Sequence, residues 1–194
     1  MNINELKDRA YKIACEHGWY DEEHSLIHHL MLVITELSEA VNADRIGKYA
    51  QRKMYERESV TPQLNPEEHW CYCYQTFIKD TVEDELADAA IRILSLLGKH
   101  EVKLDEELFK KETINEGLKD ANQRLSQGFL LSEDVFFLSY ELTHLQDKGS
   151  NLTLDTILLH LIMTAFGCNI DLFWHIEQKL KYNESRPYKH GKKY

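Results

Sequence analysis

The sequence predicts an all-α protein, a helical bundle, and three observations carry that expectation. Only three prolines, at 62, 66 and 187, interrupt 194 residues, so long stretches keep every backbone N–H that a helical ladder needs. Apolar residues recur at spacings of three and four in one segment after another, and no run shows the strict alternation of a half-buried strand. At 43% hydrophobic and 29% charged, the composition is that of an ordinary globular chain with material for one substantial core.

Residues 2–17 read as a first helix that Gly18 ends. A second starts near Ser25, a possible N-cap, and runs to about Arg45 or further, because Gly47 is a weak stop before YAQRKMYERE. On it Leu26, Leu30, Val33, Ile34, Leu37 and Val41 form the main apolar stripe, while His28, Leu32, Thr35, Glu36 and Glu39 share a second face. The stretch SVTPQLNP, 59–66, reads as a loop. A third helix is expected from Glu67 through the 80s to Leu97, stopped by Gly98. Val82, Leu86, Ala89, Ala90, Ile93 and Leu97 are its stripe, and Thr81, Asp84, Glu85, Asp88, Arg92 and Ser95 its opposite face. Further helices are expected over 105–127, 132–148, 152–167 and 170–183. Asn169 is placed to cap the last, whose buried side is Leu172, Phe173, Ile176 and Leu180; Pro187 and Gly191 mark an irregular basic end. With no repeat and no linker, one domain over 1–194 is the expectation.

Several function classes are disfavoured at once. No run approaches the roughly 18–20 apolar residues that cross a bilayer, and MNINELKDRA lacks the cationic-then-apolar pattern of a secretory leader, so a cytoplasmic protein with no membrane partner is expected. Cys15, Cys71, Cys73 and Cys168 are too few and scattered for a disulfide framework, and His69-Trp-Cys71-Tyr-Cys73 lacks the fourth ligand of a zinc site. The net charge of −10 divides into +5 over residues 179–194 and −15 over the rest. Such an acidic body repels nucleic acid backbones, so no stable nucleic acid partner is expected, whereas a small anion held between tail and body is compatible with it. No G-x-x-x-x-G-K loop is present, which excludes an ATPase of that class.

The carboxylates carry the chemistry. Glu36 and Glu39 are spaced i, i+3, as are Glu85 and Asp88, so each pair points in one direction from its helix. Four converging acids are tolerable only when protons or cations neutralise them, and oxygen ligands with room for water suit Mg²⁺ or Mn²⁺. Glu85 and Asp88 lie opposite their own apolar stripe, where an ordinary solvated face would also lie. Glu36 and Glu39 fit that plain reading less well, because their helix is apolar on other sides too.

Three blocks in order, WYDEEHSLIHHLMLVITELSEAVNADR, VEDELADAAIRILSLLG and NIDLFWHIEQKLKYNESRPYKHGKKY, resemble the MazG-like branch of the all-α nucleoside triphosphate pyrophosphatase superfamily. The family's E-x-x-E and E-x-x-D fall on Glu36, Glu39, Glu85 and Asp88, and its basic ending on Lys179, Tyr182, Asn183, Arg186, Pro187, Tyr188, His190, Gly191, Lys192 and Tyr194. The three blocks make up 70 of 194 residues. It departs from the compact family form by extra segments at about 46–66 and 99–154.

The resemblance implies a helical bundle of that type with inserted helices, acting as a homodimer or higher homo-oligomer. The implied reaction is Mg²⁺-dependent hydrolysis of a nucleoside triphosphate to monophosphate and pyrophosphate, with Mn²⁺ as a substitute. Glu36, Glu39, Glu85 and Asp88 would hold the metal, one of the four taking the proton from water. Lys179, Arg186, Lys189 and Lys192 would supply mobile positive charge that closes over the triphosphate, with Asn183 and Tyr182 as neutral donors. Trp19 and His28 are candidates for a base pocket. Arg92, one turn beyond Asp88, is a candidate phosphate contact, the plainer reading being an ion pair with Glu85 or Asp88. Two rivals stand beside this. A di-iron bundle would use Glu141-x-x-His144, with Asp21-x-x-His24 as a poor second half. A helical regulatory or binding protein would keep the fold without the activity.

Overall fold

The computed structural model describes residues 2–61, 65–114, 116, 130–145 and 151–191. Among them the secondary structure is helical, with turns and no strand, in agreement with the all-α expectation. The longer elements are α1 (Ile3–Glu16), α2 (Leu26–Arg45), α3 (Arg52–Ser59), α4 (Pro66–Phe77) and α5 (Val82–Lys99). They are followed by α6 (Leu131–His144), α7 (Leu154–Gly167), α8 (Leu172–Glu184) and a 3-10 turn at Tyr188–Gly191.

Helix α5 is the axis of the bundle, packed by α1, α2, α7 and α8. Its surroundings are why it is buried on nearly every side, including the face that carries Asp84, Glu85 and Ser95. An ordinary solvated face at Glu85 is therefore overturned. From α2 the core takes Leu30, Val33, Leu37, Ala40 and Ala43, and Glu36 is buried among them. Helix α1 adds Ile3, Leu6, Ala10 and Ile13, and α7 adds Ile157, Leu158, Leu161, Ile162 and Ala165. Helix α6 packs on α2 and α7. The α3–α4 pair carries a second cluster, where Tyr55, Cys73, Tyr74 and Ile78 meet Tyr182 of α8.

Local chemistry sets the boundaries. Asn2 caps α1 and Gly18, at φ 75°, turns the chain after it. Ser25 Oγ accepts from His28 N, which starts α2 as its sequence position predicts. Gly47 takes φ 68°, so α2 stops at Arg45 and α3 starts afresh at Arg52.

The single helix expected from Glu67 to Leu97 is two. Asp80 sits in the left-handed region at φ 58° and Thr81 Oγ1 caps the new helix by accepting from Asp84 N, so the chain breaks between Phe77 and Val82. Nor does Gly98 stop α5: the helix continues to Lys99, and a Cβ at residue 98 would lie 2.5 Å from Tyr11 Cβ. That glycine is there for the close approach of α1, a packing reason that looks like a stop signal in sequence. Asn169 does not cap α8; it takes φ 60° after α7, and Asp171 precedes α8.

The expected helix over 105–127 begins later, with turns at 106–109 and helix at 111–114; residues 115 and 117–129 lie outside the described residues, as do 146–148 of the next. No single described helix is long and apolar enough to cross a membrane.

Candidate functional site

Helices α2 and α5 make the most extensive contact in the bundle, and the contact brings the two acidic motifs together. One carboxylate oxygen each from Glu36, Glu39 and Glu85 lie within 4.8 Å of one another. Glu36 and Glu85 are buried, at 6% and 5% exposure, while Glu39 is exposed. This mixed set of hard oxygen donors, open on one side, fits Mg²⁺ or Mn²⁺. Asp88 stands outside the trio. It is turned toward α8, where Lys179 Nζ is 2.6 Å from Asp88 Oδ2 and 2.9 Å from Asp84 Oδ2. Asp84 also accepts from Tyr74 Oη and from Asp80 N, so the middle carboxylate of the neighbouring trio Asp80, Asp84 and Glu85 is already committed to partners in the fold.

Lys179 is thus not a mobile cation. It is 4% exposed and fixed between two aspartates, because its position on α8 faces α5 and not the tail. Tyr182 likewise does not line the cleft beside these acids: it is buried in the second cluster, its ring stacks on Tyr74 at 4.4 Å and its hydroxyl accepts from Gln75 Nε2. Arg92 does form an ion pair, but with neither neighbour on its own helix. Its Nε and Nη2 lie 2.7 and 2.6 Å from Glu36 Oε1 across the α2–α5 contact.

Beside these acids a cleft opens between α1, α2 and α5. Glu36, Asp88 and Arg92 line it, as do Trp19, Tyr20, His24, His28 and His29, with Leu32, Ile91 and Leu96 as apolar wall. Asn183, Arg186 and Lys189 line it from the C-terminal segment. Six of the residues expected in substrate binding, Trp19, His28, Arg92, Asn183, Arg186 and Lys189, therefore share one cavity. Lys192 lies outside the described residues.

The basic tail, expected to be mobile, is docked as far as Lys189. His17 is buried and its ring bridges the carbonyls of Ile13 and Arg186, both at 2.9 Å. Lys189 N donates to His17 O at 3.0 Å, Tyr188 Oη donates to Asp21, and Gly18 leaves the space that the Tyr188 ring fills. Arg9 holds Glu177 and Glu184 beside it.

Burial, then the charge of Asp88, pushes the Glu85 carboxyl up to about 8. The same two causes raise Glu36 against the opposing charge of Arg92, and burial raises Asp84 against Lys179. Burial on its own would lower Lys179, but Asp88 and Asp84 outweigh it and the ammonium is held protonated. Folded Glu85 thus keeps a proton that the unfolded chain gives up near its ordinary value of 4.5. Its contribution to stability is complete below that value and is lost as pH rises through about 8. The melting midpoint of metal-free protein is expected to fall between pH 6 and pH 9 on this account, and Mg²⁺ is expected to raise it more at the higher pH. Differential scanning calorimetry at both pH values, with and without the cation, is the check; a midpoint that holds level would contradict it.

Three cleft residues escape a motif-based reading. Tyr20 Oη pairs with Ser95 Oγ at 2.9 Å, and His29 presents a buried Nε2 with no hydrogen-bond partner. Burial, then Lys99, lowers His29 to about 4, so its imidazole is neutral. Asn183 Oδ1 is a second buried atom without a partner in the same cleft. Such orphans are rare in folded proteins and fit a ligand with polar edges. The HHL stretch contained the signal for His29, one residue past the face singled out.

The rival metal sites do not assemble. Glu141 accepts from His160 on α7 at 2.8 Å, His144 stacks on Tyr140, and Asp21 holds Tyr188. His69 Nε2 faces the Glu58 carbonyl, 3.6 Å from Cys73 Sγ, and this pair joins no metal-holding group among the described residues.

Comparison with known proteins yields no relative: no family model, no curated protein and no solved structure matches the chain.

Proposed function

We propose that this protein is a Mg²⁺-dependent nucleoside triphosphate pyrophosphohydrolase of the MazG-like type, converting a (deoxy)nucleoside triphosphate and water to monophosphate and pyrophosphate. The observation that carries the reading is the meeting of Glu36, Glu39 and Glu85 from two helices beside a cleft that is aromatic on one wall and cationic at its rim. When bound, the cation would supply a Lewis acid for phosphate oxygens and a water of lowered pKa. Glu36, Glu39 and Glu85 would hold it, with Asp88 next to them.

The chain's own residues divide the remaining work. Trp19 and His28 offer flat surfaces to a base, and His29 Nε2 an unpaired nitrogen to its polar edge. Arg186, Lys189 and Asn183 face the triphosphate from a segment already docked, so little ordering entropy remains to be lost on binding. The proposal includes a homodimer acting on the cytoplasmic nucleotide pool; light scattering should then give twice 22.9 kDa.

One observation favours a second reading, a catalytically silent nucleotide-binding or regulatory protein on the same fold. Arg92 and Lys179 already neutralise Glu36 and Asp88 without any metal. A panel of canonical and modified nucleoside triphosphates with Mg²⁺ separates the two. Pyrophosphate and monophosphate from at least one member are expected. No product from any member, or diphosphate with free phosphate, contradicts the hydrolase, and tight nucleotide binding without turnover would establish the second reading.

A further inference from the structure

We propose that Arg92 couples the two ligands of this site: in the metal-free protein its guanidinium neutralises Glu36, and a divalent cation bound by Glu36 releases it to the phosphates. The inference rests on the pyrophosphohydrolase reading and adds to it an order of events and a reason for mutual dependence.

The geometry makes Arg92 the residue able to serve both ligands. Glu36 is 6% exposed, and a buried carboxylate needs a compensating charge. Arg92 provides it from the next helix, with both Nε and Nη2 directed at one oxygen, Oε1. The Arg92 side chain is 29% exposed and lines the cleft, so it lies between Glu36 and the ligand space. Lys179, the other cation against the acids, has no such freedom: it is 4% exposed, held between Asp84 and Asp88, and does not itself line the cleft.

Charge then decides the direction of the effect. A divalent cation among Glu36, Glu39 and Glu85 takes over the neutralisation of Glu36. Arg92 becomes surplus positive charge a few ångströms from a doubly charged ion, and the two repel. A triphosphate in the cleft relieves that repulsion, and the planar guanidinium fork matches phosphate oxygens at two points. Metal binding thus improves phosphate binding, and by thermodynamic reciprocity phosphate must improve metal binding equally. Without phosphate, Arg92 competes with the metal.

Removing the competitor gives a signature opposite to that of a residue that merely supports the site. Mn²⁺ binding to the full chain, read from the electron paramagnetic resonance of free Mn²⁺ with no nucleotide present, is measured for the unmodified protein, Arg92→Gln and Arg92→Lys. Arg92→Gln should bind Mn²⁺ about tenfold tighter, with Arg92→Lys near the unmodified protein because the charge is kept. Inorganic pyrophosphate at saturating Mn²⁺ should bind Arg92→Gln about tenfold more weakly. Circular dichroism confirms the fold of each variant, and Arg92→Met, which also removes the charge, replaces Arg92→Gln if that variant does not fold. Mn²⁺ binding by Arg92→Gln that is equal or weaker overturns the coupling alone. No Mn²⁺ binding by any of the three overturns the coupling together with the metal site beneath it.

Discussion

Glu85→Gln is expected to reduce turnover by about a thousandfold or more while the helical circular dichroism stays unchanged. A ligand carboxylate contributes several kcal/mol of charge stabilisation at the phosphoryl centre, and about 4 kcal/mol corresponds to three orders of magnitude. The fold should tolerate the change because Glu85 is buried and its carboxyl is pushed up to about 8, so the neutral side chain is the one its surroundings already favour. Glutamine keeps the shape and removes the titration. The variant should therefore also lose part of the decline in melting midpoint expected between pH 6 and pH 9. Steady-state kinetics with the best substrate of the nucleotide panel, paired with melting curves at the two pH values, examines both halves. A variant with full activity would move the chemistry elsewhere in the cleft.

Lys179→Met should cost about 3–5 kcal/mol of stability, the usual penalty for breaking a buried ion pair by removing one partner. The loss is large because Asp84, 1% exposed, keeps only its bonds from Tyr74 and Asp80 N, and Asp88 loses its counter-charge at the same time. Urea denaturation gives the number. Adding Asp84→Asn to Lys179→Met should recover part of the loss, since the orphaned charge is removed with its partner. A surface lysine reaching for phosphate would behave differently: its substitution would raise KM and leave the urea midpoint where it was.

The contrast between these two residues shows what a sequence exposes and what it hides. The helices were legible wherever a local rule sets them: Ser25 caps α2, Gly18 ends the turn after α1, and periodic apolar residues mark the faces of α2 and α8. The pairing of Glu36 with Glu39, and of Glu85 with Asp88, is equally local, because i, i+3 spacing fixes direction on a helix. Partners across helices are not local. Nothing near Arg92 says that it will reach Glu36, 56 positions earlier, and nothing near Lys179 says that it faces α5. The break between α4 and α5 was available in part, since Thr81 followed by Asp84 is a capping pattern, but the apolar period running through both sides concealed it. Docking of the tail depends on Gly18 accepting the Tyr188 ring from the far end of the chain, and no window of sequence contains both.

On the function proposed above, acids from α2 and α5 share one divalent cation. Crystals grown with Mn²⁺ and measured at an energy where manganese scatters anomalously test it directly. A peak is expected about 2.2 Å from oxygens of Glu36, Glu39 and Glu85, with Arg92 withdrawn from Glu36. A well-ordered crystal with no manganese between these helices, and Arg92 still on Glu36 Oε1, would contradict it.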